Sequence, residues 1–132
     1  FEAGTFIGWI PADSSADVVQ GNTNSGQYAA ELRRDTWIQR TIPTLGFESL
    51  VLEFSSHVIN YGPGEELIIE YFDGSSWTLL DTITNTSWQA RTFNLGSATN
   101  DNVNFALRFM TNADSGADLA YIDDVIVIGT QI

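Results

Sequence analysis

The sequence predicts an all-β protein, a two-sheet antiparallel β-sandwich. Three observations carry this. Helical periodicity is nearly absent, short runs of alternating apolar and polar residues recur about every ten positions, and clusters of Gly, Asn, Ser and Asp separate them. The chain has 132 residues, 43% of them hydrophobic and 12% aromatic. That length suits a single domain able to bury about two-thirds of the surface its unfolded chain exposes. There is no cysteine, so the core must stand without disulfides, and the absence is neutral about compartment.

Strands are expected over 6–9, 16–20, 28–33, 37–42, 50–59, 66–72, 77–83, 89–95, 104–111 and 120–128. Pro11 and Pro43 close the first and fourth, where no ladder N–H is needed. Asn60-Tyr61-Gly62-Pro63-Gly64 breaks the chain before 66–72, and Asp73-Gly74-Ser75-Ser76 supplies the positive φ of a tight hairpin between 66–72 and 77–83. Alternation then assigns faces. Leu50, Leu52, Phe54 and Val58 form one core stripe, Leu67, Ile69 and Tyr71 a second, and Phe105, Leu107 and Phe109 a third. The opposite faces carry Glu53, Ser55 and His57, then Ile68, Glu70 and Phe72, then Ala106, Arg108 and Met110.

Charge excludes several partners. Formal net charge is -12, with 17 acids against five bases. All five bases are arginine. A protein that neutralises phosphates needs a basic stripe, so neither nucleic acid nor an anionic membrane surface is an expected partner. A strongly acidic surface also keeps an exported or salt-exposed protein soluble. No apolar run approaches a membrane span, and the chain begins at phenylalanine, so it reads as a module cut from a longer exported polypeptide.

Two acidic spots lie at opposite ends, Glu2 and the pair Asp123-Asp124 within an apolar strand. A carboxylate pair flanked by Ile122 and Val125 is costly to bury without a cation or donors. If the first and last strands are neighbours, these groups converge, and six to eight oxygens in tolerant geometry are what calcium takes. Carbonyls near Gly4 and near Asn24-Ser25-Gly26 can add to the set. Alternation allows only one of the two aspartates to point inward, and Asp123 is favoured because Val125 and Val127 would share its face, leaving Asp124 in solvent. The other arrangement open to these residues is a frayed Glu2 and an Asp123 that accepts hydrogen bonds from N–H groups or arginine.

Phe1-Glu2-x-Gly4-Thr5-x-x-Gly8-Trp9, Asn24-Ser25-Gly26-x-Tyr28-Ala29 and Tyr121-Ile122-Asp123-Asp124-Val125, in this order, resemble the opening, second motif and closing strand of bacterial jelly-roll carbohydrate-binding modules, within the galactose-binding-like and MAM-like group of β-sandwiches. The resemblance covers essentially the whole chain. It implies jelly-roll topology and a structural Ca2+ held by Glu2, carbonyls around Asn24, Ser25 and Gly26, and Asp123, with Gly4 offering a carbonyl. It also implies a non-catalytic, secreted accessory module that binds polysaccharide or oligosaccharide, covalently linked to an enzyme and expected to be monomeric. The alternative within the same fold is a structural or protein-interaction module of a secreted protease or adhesin.

Sugar recognition needs aromatic rings for the apolar pyranose face and planar polar groups for its hydroxyls. If their three strands are neighbours, Glu53, His57, Glu70, Phe72 and Arg108 form a polar groove with one aromatic. A plain cross-strand ion pair between Glu70 and Arg108 is the other reading. Among the tryptophans, Trp9, Trp77 and Trp88 read as structural plugs. Trp37 has the opposite parity to Ile38 and Ile42 and should project outward, and Tyr61 in its glycine-flanked loop is a candidate rim residue.

The segment from Asn112 to Asp118 spaces Asp114 and Asp118 around a glycine but lacks the closing glutamate of an EF-hand, and reads first as a solvated turn. One histidine, no lysine, and no Gly-x-Ser-x-Gly or His-Glu-x-x-His motif leave no usual catalytic constellation. A glycosidase-like carboxylate pair, Glu53 with Glu70, is the one arrangement that spacing leaves open.

Overall fold

A computed structural model describes residues 1–132. The alternating pattern forms ten strands: β1 (Ile10–Pro11), β2 (Ala16–Gln20), β3 (Tyr28–Arg33), β4 (Asp35–Thr41), β5 (Phe47–Ile59), β6 (Leu67–Phe72), β7 (Trp77–Ile83), β8 (Gln89–Asn94), β9 (Ala106–Asn112) and β10 (Leu119–Gln131). Sheet A has the order β1-β4-β9-β6-β7 and sheet B the order β2-β3-β10-β5-β8. Every recorded pairing is antiparallel. This is the two-sheet jelly-roll sandwich that the sequence predicts.

The three core stripes meet between the sheets. Leu52, Phe54 and Val58 from β5, Leu67 and Ile69 from β6, and Leu107 and Phe109 from β9, with Phe105 just ahead of it, are all at most 2% exposed. Phe54 and Phe109 join the layers edge to face at 5.1 Å and 80°, and Trp9 packs on Phe109 at 5.8 Å. Interdigitated rings of this kind contribute beyond their buried area. The predicted hairpin is present: Asp73 N–H donates to Ser76 O, Gly74 has φ +99°, and the Asp73 carboxylate accepts from the Ser75 and Ser76 N–H groups.

The predicted first strand over 6–9 does not form. Gly4 and Gly8 adopt φ +76° and +80°, which breaks extended geometry, and the segment folds back so that Phe1 packs against both Phe6 and Trp9. The first strand, β1, pairs with β4, while β10 lies between β3 and β5. First and last strands are therefore not neighbours. A β-bulge in β10 is the second departure. Asp123 pairs with Ser55 and Ile126 with Glu53, so Asp124 and Val125 together oppose Phe54. The bulge resets the alternation: Ile122 is fully buried in the core before it, and Val125 and Val127 pack against the core after it.

Candidate functional site

The amino-terminal glutamate and the β10 bulge act on one loop, residues 24–28. Glu2 Oε2 accepts from Gln27 N–H at 2.9 Å and Oε1 from Tyr28 N–H at 3.2 Å. Asp123 Oδ2 accepts from Asn24 and Ser25 N–H at 3.0 and 3.1 Å, and Oδ1 from Asp124 N–H at 2.8 Å. Asp124, at φ +54°, turns back so that its carboxylate accepts from Asn24 Nδ2 at 2.8 Å and from Ser25 Oγ. It does not point to solvent, because the bulge suspends the alternation on which that expectation rests. Nor does Asp123 share the Val125 and Val127 face. It lies on the Tyr121 side of β10, and with the loop drawn over it Asp123 is 3% exposed.

Gly4 and Gly26 are fixed by contact. Gly4 sits against the Tyr28 ring, where an added Cβ would lie 3.1 Å from Cε1. Gly26 has φ +64°, and a Cβ there would run into the Glu2 carboxyl group. Gly26→Ala should therefore cost about 1–3 kcal/mol, read as a lower urea midpoint with an unchanged slope; an unshifted midpoint would show that Glu2 does not sit on this glycine.

Three carboxylates thus hold one loop, and no base answers them. The chain's ion pairs are Arg33–Glu31, Arg91–Asp81 and Arg108–Glu70. An all-oxygen cluster with a buried carboxylate and no cationic partner fits a hard cation.

The predicted ligand residues divide between two surfaces. Glu53 and His57 lie on the back of sheet B, while Trp37, Glu70, Phe72 and Arg108 lie on the back of sheet A. The expected single groove, and the Glu53–Glu70 pair with it, does not exist, because β5 and β6 belong to different sheets. His57 is 6% exposed, stacked on Tyr121 at 4.9 Å and edge-on to Trp88 at 4.6 Å, with Nε2 2.9 Å from Asn22 Oδ1. Burial pushes its pKa down, which favours the neutral imidazole.

Tyr61 is not a rim residue. It packs against the core, and its hydroxyl lies 2.6 Å from buried Thr111 Oγ1. Burial pushes the Tyr61 phenol up to about 12, and Tyr121 likewise to about 12, through burial and then its hydrogen bond to Glu31. Raised phenol pKa values contribute stability that is intact below about pH 10, the unfolded value, and lost as pH rises toward about 12. An alkaline decline in that window, smaller in Tyr61→Phe, is expected by circular dichroism; a flat profile to pH 12 would contradict the burial.

The back of sheet A is one continuous surface. Trp37 is level with Met110 and Ile68, Gln39 with Arg108 and Glu70, and Thr41 with Ala106 and Phe72. Arg108 Nη2 and Nε both donate to Glu70 Oε1, at 2.8 and 3.1 Å, and the guanidinium carbon stands 4.0 Å from the centre of the Trp77 ring. Phe72 adjoins Trp77 at 5.3 Å. The second Glu70 oxygen and the Gln39 amide make no intramolecular hydrogen bond. Trp37 therefore sits at one end, an oriented polar row in the middle, and Phe72 with Trp77 at the other end, about 13 Å along the strands.

Sequence reasoning passed over Trp77 as structural, because its position after a hairpin says nothing of the guanidinium that reaches it from β9. It also missed Glu65, which the structure brings to Asp114 and Asp118, with the three carboxylates within 4.8 Å of one another. Asn85, in the Asn85-Thr86-Ser87 acceptor pattern, spends its amide on Ser56 O and Ser87 O.

The sequence matches no family model and no curated protein. Solved structures do match. A family 61 carbohydrate-binding module, TmCBM61, solved in complex with β-1,4-galactotriose, superposes with a TM-score of 0.75 at 17% identity, over 98% of this chain and 94% of that one. The CBM22-2 xylan-binding domain of Paenibacillus barcinonensis Xyn10C gives 0.67 at 15% identity, over 98% and 96%. The K2 cleaved adhesin domain of Lys-gingipain gives 0.68 at 12%, over 96% and 90%. The fold is that of the carbohydrate-binding-module β-sandwiches, shared with an adhesin domain of a protease.

Proposed function

We propose that this chain is a non-catalytic carbohydrate-binding module that takes a stretch of polysaccharide across the back of sheet A. The observation that carries the reading is the row on that surface: rings at both ends, and between them Arg108, Glu70 and Gln39 with unspent hydrogen-bonding capacity. Aromatic faces take the apolar sides of pyranose rings, and a guanidinium fixed by a carboxylate offers planar donors to their edges. One of the similar structures holds β-1,4-galactotriose and another is a xylan-binding domain, which supports a neutral glycan as the ligand. A neutral ligand also suits a chain of net charge -12.

In this reading the fold exports no chemistry; it holds an attached enzyme at its substrate by raising effective concentration. A secreted setting follows from such a role. Glu2, Asp123 and Asp124, with oxygens of Asn24 and Ser25, would hold a calcium ion that supplies the positive charge three carboxylates lack. The residues themselves tie the amino terminus and β10 to loop 24–28.

Affinity electrophoresis through gels containing soluble β-1,4-galactan, xylan or related glucans tests the function. Retardation on at least one is expected. No retardation across the panel would favour the second reading, a protein-interaction or structural module, which the likeness to the gingipain adhesin domain supports.

A further inference from the structure

Arg34 alone connects β3 to β4, and its φ is +59°. In a continuous strand consecutive side chains point to opposite faces, but here the left-handed residue turns the chain from sheet B to sheet A, and Arg33 and Arg34 line one cavity. Two of the chain's five bases therefore converge. That backbone region is disfavoured for a residue carrying a Cβ, and such outliers gather at ligand-binding positions.

The cavity, about 220 Å3, lies where the β1–β2, β3–β4 and β9–β10 connections meet, and Ser14, Ser15 and Gly116 complete its lining. No apolar side chain faces it. Gly116 is fixed by the approach of Arg34, because an added Cβ would stand 3.1 Å from Nη2. Despite 17 acids in the chain, no carboxylate lies within ion-pair distance of Arg34, and Arg33 meets only Glu31, at 3.6 Å. The nearby acids are engaged. Glu31 accepts from the Tyr121 hydroxyl, and Asp13 from Ser15 N–H and the Thr36 hydroxyl. Neither guanidinium, and neither the Ser14 nor the Ser15 hydroxyl, donates a hydrogen bond within the chain.

We propose that this pocket binds the carboxylate of a uronic acid, with Arg33 and Arg34 on the acid group and the Ser14 and Ser15 hydroxyls on the hydroxyls of the sugar. Guanidinium forks match a carboxylate's two oxygens, and hydroxyls that donate and accept suit a saccharide edge. The volume takes a single sugar-sized group rather than a larger ligand. A net charge of -12 repels a polyanion, but one carboxylate between two guanidinium groups feels the near charges first, since distant ones are screened. Arg34 precedes Trp37 by three residues, about 10 Å of strand. The pocket would thus hold an acidic substituent of a glycan whose neutral rings lie on sheet A, yet its own lining carries it without that reading.

Titration of the full chain with sodium glucuronate, followed through the arginine Nε–H resonances, tests this, with the neutral methyl ester of the same sugar as comparison. Saturable shifts of Arg33 and Arg34 with the acid alone are expected. Arg34→Asn, which keeps a residue tolerant of the left-handed turn, should weaken binding about tenfold, while Arg40→Ala, which removes an unpaired arginine elsewhere, should not. Retention on neutral polysaccharide should be the same in Arg34→Asn as in the wild type, so the fate of this pocket and that of the sheet A surface are read separately. Equal shifts with acid and ester, no shift at all, or equal losses in Arg34→Asn and Arg40→Ala would overturn the proposal. Displacement of glucuronate by equimolar sodium sulfate but not by sodium chloride of the same ionic strength would also overturn it, by assigning the pocket to a free inorganic anion.

Discussion

Asp123→Ala should lower the melting midpoint by about 10 °C, the largest stability loss expected of any single polar residue in the chain. Its carboxylate accepts three backbone N–H groups, from Asn24, Ser25 and Asp124, and Asp123 is 3% exposed. Truncation strands those donors and releases loop 24–28, a cost of about 3 kcal/mol, which for a domain this size converts to the stated shift. Asp123→Asn keeps an acceptor and should fall less. Calcium separates this knot from a purely hydrogen-bonded one. An ion bound only by the native state raises the midpoint with saturation, so Asp123→Ala should lose the calcium response that the wild type shows. A variant that melts and responds to calcium as the wild type does would dissolve both the knot and its ion.

Truncating the rings and the guanidinium on the back of sheet A should abolish retention on polysaccharide. Trp37→Ala and Arg108→Ala are each expected to weaken affinity about 30-fold, the scale of a binding hot spot of about 2 kcal/mol. Trp37 is half-buried on a surface without core contacts, so the folded state should persist, verifiable by an unchanged far-ultraviolet spectrum. Trp88→Ala supplies the control. Its indole packs on His57 at the back of sheet B, and retention should survive its loss. Retention that follows Trp88 and ignores Trp37 would move the binding surface to the other sheet.

Much of the fold is legible in the sequence because a strand's side-chain period is local. The stripes through Leu52 and Phe54, Leu67 and Ile69, and Leu107 and Phe109 can be read from residues two apart, and all end up in the core. The hairpin at Asp73-Gly74 is equally local, since its geometry needs only those residues. Period two also places Trp37 away from Ile38. It fails at Asp123-Asp124, because the bulge adds a residue in answer to a loop almost a hundred positions away. It fails again over 6–9, where alternation promises a strand and two glycines at positive φ turn the chain back on Trp9.

The amino-acid sequence alone determined the sandwich class, the faces of its strands, and that Glu2, Asp123 and Asp124 need compensation. Tertiary structure decided which strands are neighbours, and with that every site. It parted Glu53 and His57 from Glu70 and Arg108, joined Trp77 to Arg108, and delivered Glu65 to Asp114 and Asp118. The reason is that face follows from neighbours along the chain, whereas adjacency between strands is set by closing long loops around a shared core, an energy summed over the whole molecule and written in no single segment.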